Sequence, residues 1–375
     1  MRTRDAVLDY RKTMADAATY EKDLDLQDPI SALYIEVEAT NGSSYNRDNW
    51  ISDIVTKVEV VDGSEVLASL NMFELEALYF YKTGKTPTIQ ATEIGGYPTW
   101  HGCYLLFGRY LWDQVFALDP AVFKNPQLKI TFNKAAVRAA SDTTAFITGD
   151  NIKLTVVAKV MENMIGRPGK YLMPKSINRW TSTSGDRRIE LPADYVYRLM
   201  LLRAYLKGSA LYDVISDVKL TCDTDKYVPF NRKMLQLERE AGALFGEHAI
   251  YHEFVRAHGA SPRTMTGDNP HITIIESAST GAVFCRINYT SPSSFYLSLF
   301  KHDGTNWTEE TTQLIAKESG CALHATLPIP FGIMGDESTW FNPRDYGKIE
   351  AVVTEVTGAP CGILLEQVRP NMKVG

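Results

Sequence analysis

The chain has 375 residues, 45% of them hydrophobic and 22% charged, with a formal net charge of −6. That length exceeds what one ordinary core holds and suits two domains, and the apolar fraction is that of a globular protein. The acidic balance excludes a protein that coats nucleic acid over its whole surface, and no run of about 18 apolar residues marks a membrane span.

Residues 1–22 read as an N-terminal arm with a short helix. They carry Arg2, Arg4, Arg11 and Lys12 against Asp5 and Asp9, beside the apolar Val7, Leu8 and Met14. Two readings of these basic residues stay open: a solvated helix start, or an arm that touches an anionic partner. No apolar leader segment opens the chain, so no export signal is expected. The five cysteines, Cys103, Cys222, Cys285, Cys321 and Cys361, are scattered and odd in number. They are expected to be reduced, mostly buried thiols.

Beyond the arm the dominant period is two. Ala32–Thr40 alternates Leu33, Ile35 and Val37 with Tyr34, Glu36 and Glu38, the pattern of a strand with one buried face. Ile51–Leu70 continues it, turning at Asp62-Gly63 because glycine accepts positive φ. Further strands are expected at Tyr104–Phe107, Gln127–Phe132 and Ile152–Met161. One helix interrupts them at Asn71–Gly84, with Asn71 as cap and Gly84 as stop. Lys85–Gly102 and Asn133–Asp150 read as long loops, of the length that usually carries function or contacts a neighbour.

The stretch 166–186, which opens with Gly-Arg-Pro-Gly and holds a Ser/Thr cluster, reads as a linker. It divides a first domain at 23–165 from a second at 187–375. A second helix is expected at Asn231–Gly246, with a similar cap and stop. The two halves then repeat one order of elements. "ISDIVTKVEV" (Ile51–Val60) resembles "ISDVKLTC" (Ile215–Cys222), and each is followed by a helix opening "MFELE" or "MLQLE". "FGRYLWDQVFALDP" (Phe107–Pro120) and "FGIMGDESTWFNP" (Phe331–Pro343) make the same corner before a strand. The closing strand Ile152–Val160 matches either Gly347–Val356 or the C-terminal "GILLEQVRP". The ordered series predicts an all-β chain of two eight-stranded sandwiches, each with one helix.

The segment "SDIVTKVEVVDGSEVLASLNMFELEALYFYKTGKTP" (Ser52–Pro87) and "TWFNPRDYGKIEAVVTEV" (Thr339–Val356) carry a resemblance to a known family. They resemble the double jelly-roll major capsid proteins of tailless icosahedral viruses, in particular those of bacteriophages with an internal membrane. The resemblance implies a homotrimer whose six sandwiches form a pseudo-hexagonal tile of a virion shell, synthesised and assembled in the host cytoplasm. It implies neighbouring trimers, penton and minor capsid proteins as partners, and no sequence-specific nucleic-acid binding. Arg2, Arg4, Arg11 and Lys12 would face an internal membrane or minor proteins. No cofactor and no catalysis are implied.

The residues themselves offer little chemistry. Among the seven histidines, His248 and His252 with Glu253 come nearest to a metal pattern but lack the His-Glu-x-x-His order. His101 and Cys103 form a lone pair on an expected loop. Asp223 with Asp225, and Asp303 with Glu309 and Glu310, suit turns better than calcium. No nucleophile elbow or phosphate loop occurs. Two rival readings stay open: a tandem jelly-roll glycan hydrolase or carbohydrate-binding protein, needing carboxylates that meet near Asn163–Arg188, and a receptor-binding virion spike.

Overall fold

In the computed structural model the chain folds as two β-sandwiches built to one plan. The structure describes residues 1–43, 46, 49–140, 145–149, 151–206, 209–255, 263–264, 268–277, 282–291, 294–302, 305–309 and 313–372; from 254 to 314 it describes chiefly the backbone of strands. The first half contributes β1 (Arg2–Met14), β2 (Ala17–Asp23), β3 (Ile30–Thr40), β4 (Val55–Asp62), β5 (Glu65–Leu70), β6 (Thr88–Thr92), β7 (Pro98–Leu106), β8 (Pro126–Asn133) and β9 (Ile152–Glu162). The second contributes β10 (Lys170–Thr181), β11 (Gly185–Glu190), β12 (Tyr197–Ala204), β13 (Ile215–Cys222), β14 (Tyr227–Lys233) and β15 (His248–Val255). After these come β16 (Arg263–Thr264), β17 (Asp268–Ser277), β18 (Ala282–Ser291), β19 (Ser294–His302), β20 (Trp307–Glu309) and β21 (Gln313–Cys321). The chain closes with β22 (Thr326–Pro330), β23 (Ile349–Glu355) and β24 (Pro360–Pro370).

The first sandwich packs the order β1-β9-β3-β7 on β2-β8-β4-β5, and the second packs β10-β24-β12-β22 on β11-β23-β13-β14. Position for position these are the same eight-strand jelly roll. The sheets also run on from one sandwich to the other. Strand β5 meets β10 in parallel, and β6, which extends the first sheet, meets β15 in parallel. Strands β15, β21 and β17 widen that sheet to eight, while β18, β19, β16 and β20 form a small sheet of their own.

Local sequence explains most of this. On β3, Leu33, Ile35 and Val37 are fully buried while Tyr34, Glu36 and Glu38 on the other face are half-buried. Helix α2 follows the helical turn α1 (Ile51–Ile54). It spans Met72–Thr83 and opens with a reciprocal cap: Glu74 N–H donates to Asn71 Oδ1 and Asn71 N–H donates to Glu74 Oε2, both at 2.8 Å. It stops at Gly84, at φ 67°. The hairpin at Gly63 is also as expected, at φ 64°.

The corners correspond atom for atom in their backbone bonds. Phe107 N–H donates to Ser31 O and Phe331 N–H to Arg198 O, each at 3.0 Å. Ile30 bridges Leu118 as Tyr197 bridges Phe341. Asp119 and Asn342 then cap matching 3-10 turns that begin with Pro120 and Pro343. Strand register settles the closing strand: β9 corresponds to β24, because each pairs with the first and third strands of its sandwich, while Ile349–Glu355 corresponds to β8.

Several expectations are corrected. The N-terminal segment is strand β1, not helix; Ala6, Leu8 and Met14 turn toward the first core. Its period is hidden by register shifts between Val7 and Asp9 and between Asp9 and Lys12, with Arg11 at φ 46°. The linker at 166–186 holds β10, paired along its length with β24. Its Ser/Thr cluster is only the turn into β11. Lys85–Gly102 contains β6 and the start of β7, and within Asn133–Asp150 lies α3 (Lys134–Ala140); 141–144 and 150 lie outside the described residues. Residues 227–233 are strand, so α5 (Met234–Phe245) has no Asn231 cap, though Gly246 does end it.

The matched "ISD" letters are also four positions out of register. The true partner of α1 is α4 (Leu211–Val214), and Asp53 and Asp213 accept the N–H of Trp50 and Ala210 in the same way.

Gly332 sits at φ 90°, where a Cβ would collide with the Thr339 carbonyl. Gly332→Ala is expected to cost about 2 kcal/mol or more. Thermal denaturation should read this as a lowered Tm; an unchanged Tm would mean the corner is not held as described.

Candidate functional site at the junction of the sandwiches

The feature that distinguishes this chain from two beads on a string is the junction. Strands β12 and β24 are apolar on both faces. Leu199, Leu201 and Leu364 join the first core, while Met200, Leu202, Ile363 and Leu365 join the second. From β10, Tyr171 and Met173 also enter the first core. Where the two corners meet, Phe116, Leu172, Trp340 and Val368 form a small cluster of their own, with the Phe116 and Trp340 ring centroids 5.8 Å apart. Arg109 Nη1 donates to Gly335 O at 3.0 Å, and Lys170 pairs with Glu337 across the same seam.

Charged groups are buried in this seam, and they are paired. Lys82 of α2 lies 2.5 Å from Glu366 of β24, and Arg198 of β12 holds the other carboxylate oxygen. All three are almost fully buried. Lys82 also donates to Leu106 O at 2.9 Å, and Arg198 Nε to Met334 O at 3.0 Å. Burial brings the Lys82 ammonium down to about 8, although Glu366 acts against the fall. Burial alone would raise the Glu366 carboxyl; its two cations hold it below the ordinary range.

A second group surrounds Glu76 of α2. His101 Nδ1 lies 2.7 Å from Glu76 Oε1, Ser52 donates to Oε2 at 2.7 Å, and His324, from the second half, also reaches Oε2. Burial opposes ionisation of Glu76, but the two imidazoles outweigh it and the carboxyl is lowered. His324 itself is pushed down by burial more than Glu76 raises it. A third group joins strands of the second half, where His252 Nε2 stands 2.7 Å and His248 Nε2 3.8 Å from Glu318. Trp50 stacks edge-on to His252, at 5.3 Å, and lies 6.0 Å from His101, so it bridges the two groups.

The residues singled out from sequence fall as follows. Arg4 pairs with Glu162, Arg11 makes a two-pronged contact with Glu38 at 2.7 Å, and the Lys12 ammonium lies 5.0 Å over the Tyr20 ring. Arg2 stands opposite Glu162 on the same exposed strand. The four share β1. His101 lies on strand β7, not on a loop. His248 and His252 serve Glu318, and Glu253 is not part of that group. Asp223 Oδ1 accepts from Gly347 and Lys348 N–H, and Asp225 from Thr221 and Lys219: turn chemistry, with Asp223, Thr224 and Asp225 all at positive φ. The side chains of Asp303, Glu309 and Glu310 lie outside the described residues. Among the described residues no group of three His, Cys, Asp or Glu is disposed to hold a metal ion, and no helix is long and apolar enough to cross a membrane.

The fold is thus a double jelly roll. The solved structures it is similar to share that fold and come from virus shells. One is the atomic structure of Sulfolobus Turreted Icosahedral Virus, with a TM-score of 0.59 at 10% identity over 98% of this chain and 90% of that one. Another is the major capsid protein of bacteriophage PM2, with a TM-score of 0.53 at 12% identity over the full length of both. A third is PBCV-1 VP54, fitted into a reconstruction of the virophage Sputnik, with a TM-score of 0.57 at 8% identity over 98% and 93%. No known family's sequence profile matches the chain, and no curated protein matches it in sequence.

Two outcomes follow for the junction. Glu366→Gln leaves two buried cations without their counter-charge and is expected to destabilise the protein by about 3–5 kcal/mol, measured by chemical denaturation. For pH, His324 has a folded value below its unfolded one, so its contribution is complete above about pH 6.5 and declines as pH falls below that. Glu76, Glu318 and Glu366 are also lowered, and their contribution declines below about pH 4.5. A Tm-against-pH profile should therefore fall in two stages, and His324→Gln should flatten the upper one; a profile level from pH 7 to 5 would contradict this.

Proposed function

We propose that this chain is a major coat subunit, three copies of which close into a six-sandwich tile of an icosahedral virion shell. The observation that carries the reading is the repeated strand order joined edge to edge by parallel pairing, β5 to β10 and β6 to β15. Two equivalent sandwiches standing side by side give one chain two of six positions, so threefold symmetry fills a hexagonal place with one gene product. The likeness to capsid structures over nearly the whole chain supports this. Tiles of this kind assemble through many modest contacts whose strength adds through effective concentration.

The strands inserted between α5 and β22 stand where β6 stands between α2 and β7 in the first half, and together with β6 they suit the outer, tower end of the tile. Neighbouring tiles and vertex or minor shell proteins are then its partners, and the virion its location. For a hydrolase, the segment 163–188 would have to present open carboxylates. Glu74 and Glu355 beside it are closed: Glu74 pairs with Arg179 at 2.8 Å, and Glu355 pairs with Arg187 and accepts from the Trp180 indole N–H, both at 2.6 Å.

Mass measurement and negative-stain microscopy of the purified protein test the reading. Particles of three times 42.0 kDa with a hexagonal outline are expected. A chain that stays monomeric at high concentration, or one present in few copies per virion as a spike would be, excludes it.

A further inference from the structure

Because the halves are duplicates, strand register fixes which residues correspond. Leu106 pairs with Ala32 as Pro330 pairs with Leu199, and Arg4 pairs with Val160 as Met173 pairs with Gln367. On this register the surface made by α2, β5 and the end of β7 in the first sandwich corresponds to that made by α5, β14 and the end of β22 in the second.

In the first sandwich that surface is filled by β10. Tyr171, fully buried, sets its ring near-perpendicular to Phe107 at 6.2 Å and donates its hydroxyl to Leu67 O at 3.2 Å. Leu172 N–H donates to Phe107 O at 2.8 Å, and Lys175 pairs in parallel with Ser69. In the second sandwich the corresponding surface carries a groove of about 360 Å³, lined by Pro229, Phe230, Ile329, Phe331, Phe341 and Leu244. Phe331 stands for Phe107, Pro229 for Leu67, and Leu244 for Lys82. Leu244 is 68% exposed, whereas Lys82 is buried beneath Glu366.

The counterpart of β10 is β1, an edge strand of its sheet. We infer that the groove between α5, β14 and β22 receives strand β1 of a second copy of this chain. Ala6 then lies beside Asn231 as Lys175 lies beside Ser69, and Arg2 enters at Phe331 and Pro229 as Tyr171 enters at Phe107 and Leu67. Glu240, on the groove wall, pairs with Arg232 beside it, so the wall is charge-balanced and the occupant is assigned by strand register. Each chain offers one such strand and one such groove, so the contact is head to tail, and in the proposed tile three copies close it, six sandwiches in all. This rests on the tile reading above, and it assigns β1 to a neighbouring subunit and not to a membrane.

The test uses the full chain with the paired substitutions A6C and N231C. Mild oxidation should convert it to covalent trimers on a non-reducing gel, while each single variant and the unsubstituted chain, with its native cysteines, stay unlinked. Separately, L244D changes an exposed residue and should keep the monomer's Tm while raising the concentration needed for trimers at least tenfold. Trimers that form without the 6–231 bond and tolerate L244D overturn the groove assignment and leave the coat reading standing. A chain that never trimerises overturns both.

Discussion

The structure depends on one sheet whose middle strands, β12 and β24, have almost no solvent face. β10-β24-β12-β22 is the inner wall of the second sandwich and, through its other face, the cover of the first. A sheet buried on both sides must be apolar at successive positions, not alternate ones. Each buried leucine adds about 1.5–3 kcal/mol of driving force to either core. The same residues that complete the second fold therefore fix its position against the first, and the two sandwiches cannot turn freely about a linker. Strand β10 makes this concrete: a segment that looks like a tether is a central strand of the chain.

Much of this was legible in the sequence, in proportion to how local its cause was. The alternation of β3, the caps of α2, the Asp62-Gly63 turn and the two corners are set by residues within a few positions of one another, and they stand where expected. β1 and β10 were not legible, because their conformation is decided by partners 150 to 200 residues away. In β1 a bulge at Arg11 also breaks the period. The "ISD" repeat misled for a related reason: identical letters fell on a helical turn in one half and a strand in the other. The equivalence resides in Asp53 and Asp213, which cap their turns alike.

The buried charges left a trace that was not read. Glu76 falls among Met72, Leu75 and Leu78 on α2, Arg198 interrupts "YRLMLL", and Glu366 interrupts "GILLEQV". A charge inside an apolar run has no local justification, so it points to a partner from elsewhere. Here a partner crosses the junction in each group: Lys82 meets Glu366, which Arg198 of the adjacent strand also holds, and Glu76 meets His324. Leucines pack tolerably in several registers; a buried carboxylate between two cations accepts only one. The hydrophobic contacts supply the attraction, and these pairs select the register in which it acts.

The internal junction and the outer face of the first sandwich differ in kind. The internal junction is made once, as the chain folds, so its faces are as apolar as a core. The outer face of β1, β9 and β3 is at least partly exposed, and it is studded with Arg4–Glu162, Asp5–Lys159 and Arg11–Glu38. Lys159 occupies the place that Glu366 holds at the internal junction, and Arg4 that of Met173, by the strand registers. Equivalent surfaces are thus dry where they join the sandwiches within the chain and polar where they face out. A surface of that polarity keeps a separately folded chain dissolved, and any contact made through it is weaker than one made through a core.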